Sequence, residues 1–187
     1  LKIKIVSFVV CMEVYNLITI NFCCNDIKNI NNNSLKDTIL KYSKRMSEDI
    51  TDTRFEDFTF PSTPEFELLI NKIKEDYFKK FNKKIKLLDY WSQIHLPNES
   101  TNLHNHINDG NINDSSDVSG VYYVSIPENA GKLVFEYPIN QYQTKKYYFN
   151  SCVGTYVLFP STLNHYVTKN LSSEKRIAIS FNFKIEK

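Results

Sequence analysis

The sequence predicts a single, mainly β domain, a β-sandwich or jelly roll, with a core in residues 86–187 and a strand and supporting helices in residues 1–85. The 187 residues suffice for one domain with a substantial core, but hardly for two. After position 85, eight short strand-like segments follow one another without a helix between them, which argues against a βαβ fold. The 12 Tyr and 13 Phe suit pleated sheets.

The N-terminal part is predicted to hold one strand and two helices. Residues 13–22 are rich in β-branched and aromatic residues and indicate a strand, whereas the polar, Asn-rich stretch 25–33 indicates a loop. Ser34 and Asp37 resemble a capping box that opens a helix ending near Met46. Residues beyond it are expected to be irregular until the second helix begins.

The second helix has the clearer signals. Thr63 can cap its start, Pro64 fits its first position, and acidic residues follow at the positive end of the helix dipole. Large apolar residues then recur at helical spacing, and this stripe is expected to pack on a sheet: Phe66, Leu69, Ile70, Ile73, Tyr77 and Phe81.

From residue 86 onward the pattern changes to short strands separated by turn residues. The predicted strands are 86–95, 100–106, 119–126, 131–137, 144–150, 154–159, 164–169 and 175–185. The last strand has large apolar residues on one face, and the other face carries a different set: Arg176, Ala178, Ser180 and Asn182. That second face could line a polar pocket, or it could simply face solvent.

Charge and cysteine content point to no membrane or nucleic-acid partner. The formal net charge is +2, and the one concentration of Lys, in residues 79–86, reads as the solvated end of a helix. No apolar run approaches the roughly 18 residues of a membrane span. The 4 Cys form no C-x-x-C pair and are predicted to be reduced, which favours a cytoplasmic protein.

All 4 His lie in the β half of the chain. His104 and His106 are two residues apart, a spacing that points both imidazoles to the same face of an extended strand. Imidazole is the commonest metal ligand at neutral pH, and His165, from a distant strand, is the third candidate. His95 is predicted to be structural.

Arg176 follows His165 by eleven residues and is one of only three Arg. A dicarboxylate that chelates the metal through its keto-acid end needs a fixed cation for its far carboxylate, and Arg offers a bidentate fork. Ser180, on the same strand face, is a candidate hydroxyl donor. Tyr122 and Tyr123 point to opposite faces of one strand, so one is core and the other, for which we take Tyr123, could donate its hydroxyl to the same ligand.

These motifs, in their order, resemble a known family. The matching residues are Trp91, Asn102, His104-Asn-His106, 119–124, 131–135, Leu158-Phe-Pro-Ser161, His165 and 176–182. The set is similar to the 2-oxoglutarate/iron(II) oxygenases common in marine bacteria and their phages, distant relatives of the prolyl hydroxylases. The resemblance covers roughly residues 88–183. A weaker match begins at Met12, which would make Met12 the natural start; alternatively, the first eleven residues resemble a short signal segment without a cleavage site.

The resemblance implies a double-stranded β-helix (jelly roll) fold, with Fe(II) and 2-oxoglutarate as cofactors. It implies hydroxylation of an unknown substrate by O2, with release of succinate and CO2. His104 and His165 would be metal ligands and Arg176 would bind the tail of 2-oxoglutarate. Asn102, from the same motif set, is a further candidate contact of the cosubstrate.

The chain departs from the wider superfamily at one metal ligand. The usual H-x-D motif supplies two His and a carboxylate, but here His106 occupies the carboxylate position. Asp109 is an alternative third ligand that would need a bulge or a turn to point inward. A neutral His in place of a carboxylate leaves the iron site one charge unit more positive.

Two other function classes stay open on the sequence alone. A cupin-like metalloprotein could use a three-His site without 2-oxoglutarate, and a non-catalytic jelly roll could serve as a binding or virion-associated module. The polar loop 108–117, next to the predicted metal, is a candidate lid, although a plain connection is equally compatible with its composition. The sequence indicates neither the substrate nor whether the chain forms a homodimer.

Overall fold

The computed structural model describes residues 23–42, 60–107 and 115–186, and every structural statement refers to these ranges. The elements in chain order are β1 (Cys23–Asp26), α1 (Asn32–Tyr42), α2 (Pro64–Phe81), β2 (Ile85–His95), β3 (Thr101–His104), β4 (Val118–Ser125), β5 (Leu133–Asn140), β6 (Gln143–Phe149), β7 (Thr155–Pro160), β8 (Asn164–Val167) and β9 (Arg176–Ile185). All eight strands expected after residue 85 are present, with small differences at their ends. The strand predicted at 13–22 lies outside the described residues.

The strands form two antiparallel sheets, which confirms the predicted jelly roll. The major sheet has the order β1-β7-β4-β9-β2, and the minor sheet has the order β3-β8-β5-β6. From β6 onward the chain alternates between the sheets, passing to β7 in the major, β8 in the minor and β9 in the major sheet. This alternation brings β3 and β8 side by side, although about sixty residues of chain separate them.

Two apolar clusters hold the layers together. One lies between the helices and the outer face of the major sheet and includes Leu35, Ile73 and Phe181. The other lies between the two sheets and includes Phe135 and Phe159. The helices therefore cover one face of the major sheet, and the other face looks into the space between the sheets.

The two faces of strand β9 are buried on opposite sides of the major sheet. Its large apolar residues, such as Ile177 and Ile179, belong to the helix-covered cluster, whereas Ala178 belongs to the cluster between the sheets. The polar face therefore points into the sandwich and not to solvent, and Arg176 and Ser180 are 0% and 4% exposed. This settles the choice that the sequence left open.

Helix α2 begins as its sequence predicts. The Thr63 side chain accepts a hydrogen bond from the Phe66 N–H, and Pro64 occupies the first turn. Asn82 ends the helix in a left-handed conformation with φ of 52°. Within the described residues, neither helix has the length and apolar character that crossing a membrane requires.

The prediction for the start of α1 was wrong. The helix begins at Asn32, and the Asn31 side chain accepts a hydrogen bond from the Ser34 N–H at 3.2 Å, so Asn31 is the cap that Ser34 was expected to be. The predicted loop 25–33 thus contains the first turn of α1 and also part of β1. The helix end predicted near Met46 falls outside the described residues.

Gly120 in β4 marks a close approach between backbone and core. A methyl group at this position would lie 2.6 Å from Leu158 Cδ2 and 2.8 Å from the Val157 carbonyl oxygen, and would also overlap the Phe181 ring. Because two of these neighbours are packed between sheet and helices, they cannot move aside freely. The glycine is therefore required by packing.

We expect Gly120→Ala to lower the free energy of unfolding by about 2 kcal/mol through overpacking. Urea unfolding followed by circular dichroism measures the change, and Thr144→Ala, at an exposed position of β6, is the control. Equal unfolding midpoints for Gly120→Ala and the wild type would contradict this packing account.

Candidate active site

Three imidazoles converge at one end of the space between the sheets. His104 ends β3, and His165 lies directly opposite it on β8. His106 follows two residues after His104. One ligand atom from each of the three lies within 4.8 Å of the others, and no other such group of His, Cys, Asp or Glu occurs among the described residues. The sequence anticipated this trio, and the fold brings it together.

Backbone carbonyls orient two of the three rings. The Nδ1–H of His104 donates to the Asn102 carbonyl at 2.8 Å, and the Nδ1–H of His165 donates to the Leu163 carbonyl at 2.9 Å. A carbonyl can only accept, so each bond places the proton on Nδ1 and makes Nε2 the nitrogen whose lone pair can serve as a metal ligand. The Nε2 of His165 lies 3.2 Å from the Nε2 of His106.

The pKa values of His106 and His165 are low enough to keep both imidazoles neutral at physiological pH. Burial, followed by the effect of the neighbouring His104, lowers the pKa of His106 to about 4. Burial also holds the pKa of His165 well below its usual value, followed by the effects of His104 and His106. Neutral imidazoles with converging lone pairs fit a divalent transition metal such as Fe(II).

His106 belongs to the site, but it does not lie on a strand as predicted. The predicted strand 100–106 was too long, since β3 ends at His104. Beyond that point the His106 N–H donates to the Ser161 carbonyl at 2.9 Å, which fixes the segment against the end of β7. The alternative ligand Asp109 lies outside the described residues, so the choice between it and His106 stays a prediction.

Buried hydroxyls support the backbone around His106. Ser161 Oγ lies 2.8 Å from the hydroxyls of Ser116 and Ser119, and the Ser119 hydroxyl donates to Asn182 Oδ1 at 2.7 Å. This chain of hydrogen bonds links β4, β7 and β9 beneath the site. It satisfies polar side chains that would otherwise be costly to bury.

Arg176, the first residue of β9, is fully buried in the same space between the sheets. Its Nη1 donates to Gln93 Oε1 at 3.3 Å and to His95 Nδ1 at 3.3 Å. Its Nε and Nη2 make no hydrogen bond. Burial lowers the pKa of Arg176, because the charged guanidinium has lost solvent without gaining a carboxylate among the described residues.

Two further buried groups lack partners. The hydroxyls of Tyr123 and Ser151 lie close to each other, but neither has a hydrogen bond of good geometry to any group. The guanidinium carbon of Arg176 lies 5.5 Å from the centre of the Tyr123 ring. Buried polar atoms are rarely left unpaired, so unpaired donors beside a buried cation indicate an anionic ligand. Nε and Nη2 form the edge of the guanidinium that binds a carboxylate through two parallel hydrogen bonds.

The structure separates the other two candidate cosubstrate residues from this edge. Ser180 lies opposite Trp91, four residues along β9 from Arg176. That is about 13 Å at the usual strand rise. The Asn102 side chain is exposed, and its backbone carbonyl orients His104. Neither residue has a hydrogen bond to Arg176, so their roles as cosubstrate contacts stay predictions.

Sequence reasoning missed Gln93 and Ser151. In the sequence, Gln93 shares a strand face with Trp91 and His95, but only the pairing of β2 with β9 shows that this face meets Arg176. Ser151 lies in the connection between β6 and β7, where no periodic pattern marks it. Trp91, one of the residues that carry the resemblance, is partly buried, and its ring centre lies 5.6 Å from that of His106.

Comparisons with known proteins point to one class of enzyme. Residues 89–182, half of the chain, match a family described as "Putative 2OG-Fe(II) oxygenase". No curated protein has a matching sequence.

Three solved structures illustrate the likeness in fold. A prolyl-4-hydroxylase from Pseudomonas putida is 13% identical, with a TM-score of 0.61, and the match covers 90% of this chain and 95% of that one. A collagen prolyl hydroxylase from Paramecium Bursaria Chlorella virus-1, solved with 2OG, is 16% identical, with 87% and 94% coverage and a TM-score of 0.61. A 2OG-Fe(II) oxygenase family oxidoreductase from Burkholderia pseudomallei is 14% identical, with 67% and 60% coverage and a TM-score of 0.52.

Proposed function

The chain belongs to the 2OG-Fe(II) oxygenase family, and on this premise we propose that it hydroxylates a substrate at the expense of 2-oxoglutarate and O2. The family makes it an oxidoreductase and implies Fe(II) and 2-oxoglutarate as cofactors, as the sequence predicted. In the proposed reaction one oxygen atom of O2 enters a substrate C–H bond and the other enters succinate. The keto-acid carboxylate leaves as CO2.

The observation that carries this proposal is the free edge of Arg176. A fully buried guanidinium with unpaired Nε and Nη2 is costly unless a ligand completes it. The distal carboxylate of 2-oxoglutarate is such a ligand, with the hydroxyls of Tyr123 and Ser151 as additional donors. A metalloprotein without this cosubstrate would have no use for an uncompensated buried cation.

A chain of contacts links the cation to the strand that carries one of the candidate metal ligands. His95 pairs with Arg176 and also contacts Thr101, which lies three residues before His104 on the adjoining edge of the minor sheet. A keto acid chelated at the metal and extended along β3 therefore reaches toward the guanidinium.

His104, His106 and His165 would hold Fe(II), whose role is to couple decarboxylation of the keto acid to activation of O2. The protein keeps the imidazoles of His106 and His165 neutral, orients two of the three rings through carbonyls and shields His165 with aromatic rings. The Phe159 ring centre lies 4.7 Å from that of His165. Because no ligand of the trio carries charge, anionic 2-oxoglutarate gains a stronger attraction to the metal than a carboxylate-bearing triad would give.

The test is oxygen-dependent succinate formation. Purified protein with Fe(II), 2-oxoglutarate and air is expected to produce succinate and CO2 in equal amounts, slowly in the absence of the substrate and faster when it is present. Succinate is measured by NMR over several hours, with His165→Ala protein as the blank. Succinate no higher than in this blank would refute the proposed function.

A further inference from the structure

His95 is a buried imidazole outside the three-His group. It ends β2, is 0% exposed, and contacts two side chains: Arg176 Nη1 lies 3.3 Å from its Nδ1, and Thr101 Oγ1 lies 2.8 Å from its Nε2. A guanidinium has only donors, so Nδ1 must accept the first hydrogen bond. The ring proton is therefore on Nε2 and is donated to Thr101.

Gln93 repeats the same pattern two residues earlier on β2. Its Oε1 accepts from Arg176 Nη1 at 3.3 Å, and its Nε2 donates to Thr101 Oγ1 at 3.4 Å. Two neutral side chains thus hold the same guanidinium nitrogen and the same hydroxyl. The backbone of His95 is also fixed, because the buried Asn170 side chain donates to its carbonyl at 3.0 Å.

The neutrality of both groups matters for ligand binding. Burial holds the pKa of His95 well below its usual value, and the charge of Arg176 lowers it further, so His95 stays neutral. A carboxylate at either position would compensate the guanidinium and compete with an incoming anion. Neutral acceptors on Nη1 fix the group in one orientation and keep its charge available at the Nε and Nη2 edge.

We propose that His95 is a positioning residue for the cosubstrate, holding Arg176 so that its free edge faces the distal carboxylate of 2-oxoglutarate. Through Thr101, it also ties this anchor to the strand that carries His104. The inference rests on the proposed function and extends it to a residue without contact to metal or cosubstrate.

The test compares two keto acids that chelate a metal in the same way. 2-Oxoglutarate has a distal carboxylate and pyruvate has none, so only 2-oxoglutarate senses the orientation of Arg176. His95→Phe keeps a ring of similar size but removes both hydrogen bonds. We expect it to weaken 2-oxoglutarate binding to the Fe(II) protein about tenfold or more, and to leave Fe(II) and pyruvate binding unchanged.

Binding is measured without turnover, by anaerobic titration of the Fe(II) protein followed through the fluorescence of Trp91, the single Trp of the chain. His95→Asn provides the rescue, because its amide oxygen can take the place of Nδ1 and accept from Arg176. We expect it to recover most of the lost affinity for 2-oxoglutarate. Should His95→Phe fail to fold, His95→Leu removes the same two hydrogen bonds and carries the same expectation.

The outcomes separate this inference from the proposed function. Wild-type protein that binds 2-oxoglutarate no better than pyruvate would contradict the role of Arg176, and the role of His95 with it. If the wild type prefers 2-oxoglutarate over pyruvate and His95→Phe keeps this preference, only the inference on His95 is overturned. An equal loss for both keto acids would assign His95 a purely structural role and would also overturn it.

Discussion

Replacing His165 by Ala is expected to abolish Fe(II) binding and, with it, 2-oxoglutarate turnover. His165 is 4% exposed, and its Nε2 lies 3.2 Å from that of His106. Removing it leaves two imidazoles at the end of β3 and a cavity between them. Changes in groups that merely orient metal ligands often cost 10–100-fold in affinity, so loss of a ligand should cost on the order of 100-fold or more.

The measurement uses the position of Trp91. Its ring centre lies 5.6 Å from that of His106, close enough for bound iron to quench its fluorescence. Anaerobic Fe(II) titration should quench wild-type protein to saturation and leave His165→Ala nearly unchanged at the same concentrations. His95→Phe, which alters a buried His outside the trio, is the matched control and should quench like the wild type. If His165→Ala bound Fe(II) with wild-type affinity, His165 would not be a metal ligand.

Arg176→Lys has the second-largest expected effect. In contrast to His165→Ala, it should weaken the binding of 2-oxoglutarate and leave the binding of Fe(II) unchanged. Lysine keeps the positive charge but has a single ammonium on a flexible stem, so it cannot present two parallel donors to a carboxylate. It also cannot reproduce the bonds of Nη1 to Gln93 and His95 while facing the ligand. We expect binding of 2-oxoglutarate to weaken about 100-fold, because hydrogen bonds to charged groups contribute about 1.5–3 kcal/mol each.

Fe(II) binding by Arg176→Lys should remain at the wild-type level, and this provides the control for folding. Calorimetric titration of 2-oxoglutarate into the anaerobic Fe(II) protein measures the loss. An unchanged affinity for 2-oxoglutarate would show that Arg176 does not bind its tail, and the buried guanidinium would then need another partner.

The sequence predicted the architecture well where periodicity is strong. Strand β9 alternates cleanly, and its two faces divide between the two apolar clusters as the alternation indicates. Helix α2 carries its cap, its proline and its apolar stripe in the sequence itself. Features that depend on distant partners were missed: β1 has no apolar alternation and forms because it pairs with the edge of β7.

In the candidate site, too, the sequence predicted what depends on local spacing and missed what depends on distant partners. The spacing of His104 and His106 indicated a shared direction, but the turn after β3 and its anchor on Ser161 depend on a strand that lies far away in the sequence. The environment of Arg176 was equally hidden. The residue type alone suggested that the Arg176 guanidinium binds a carboxylate. The two neutral side chains that hold the guanidinium, Gln93 and His95, are identified only by the pairing of β2 with β9.

The most direct test of the central claim is an anaerobic spectrum of the Fe(II) protein during addition of 2-oxoglutarate. If the three imidazoles and Arg176 serve one ligand, a weak visible charge-transfer band should grow and saturate at one equivalent. The band should be absent from His165→Ala, and Arg176→Lys should need far more 2-oxoglutarate to reach it. Iron that binds to the wild type but gives no spectral response to 2-oxoglutarate would contradict the account and favour a three-His metalloprotein that works without this cosubstrate.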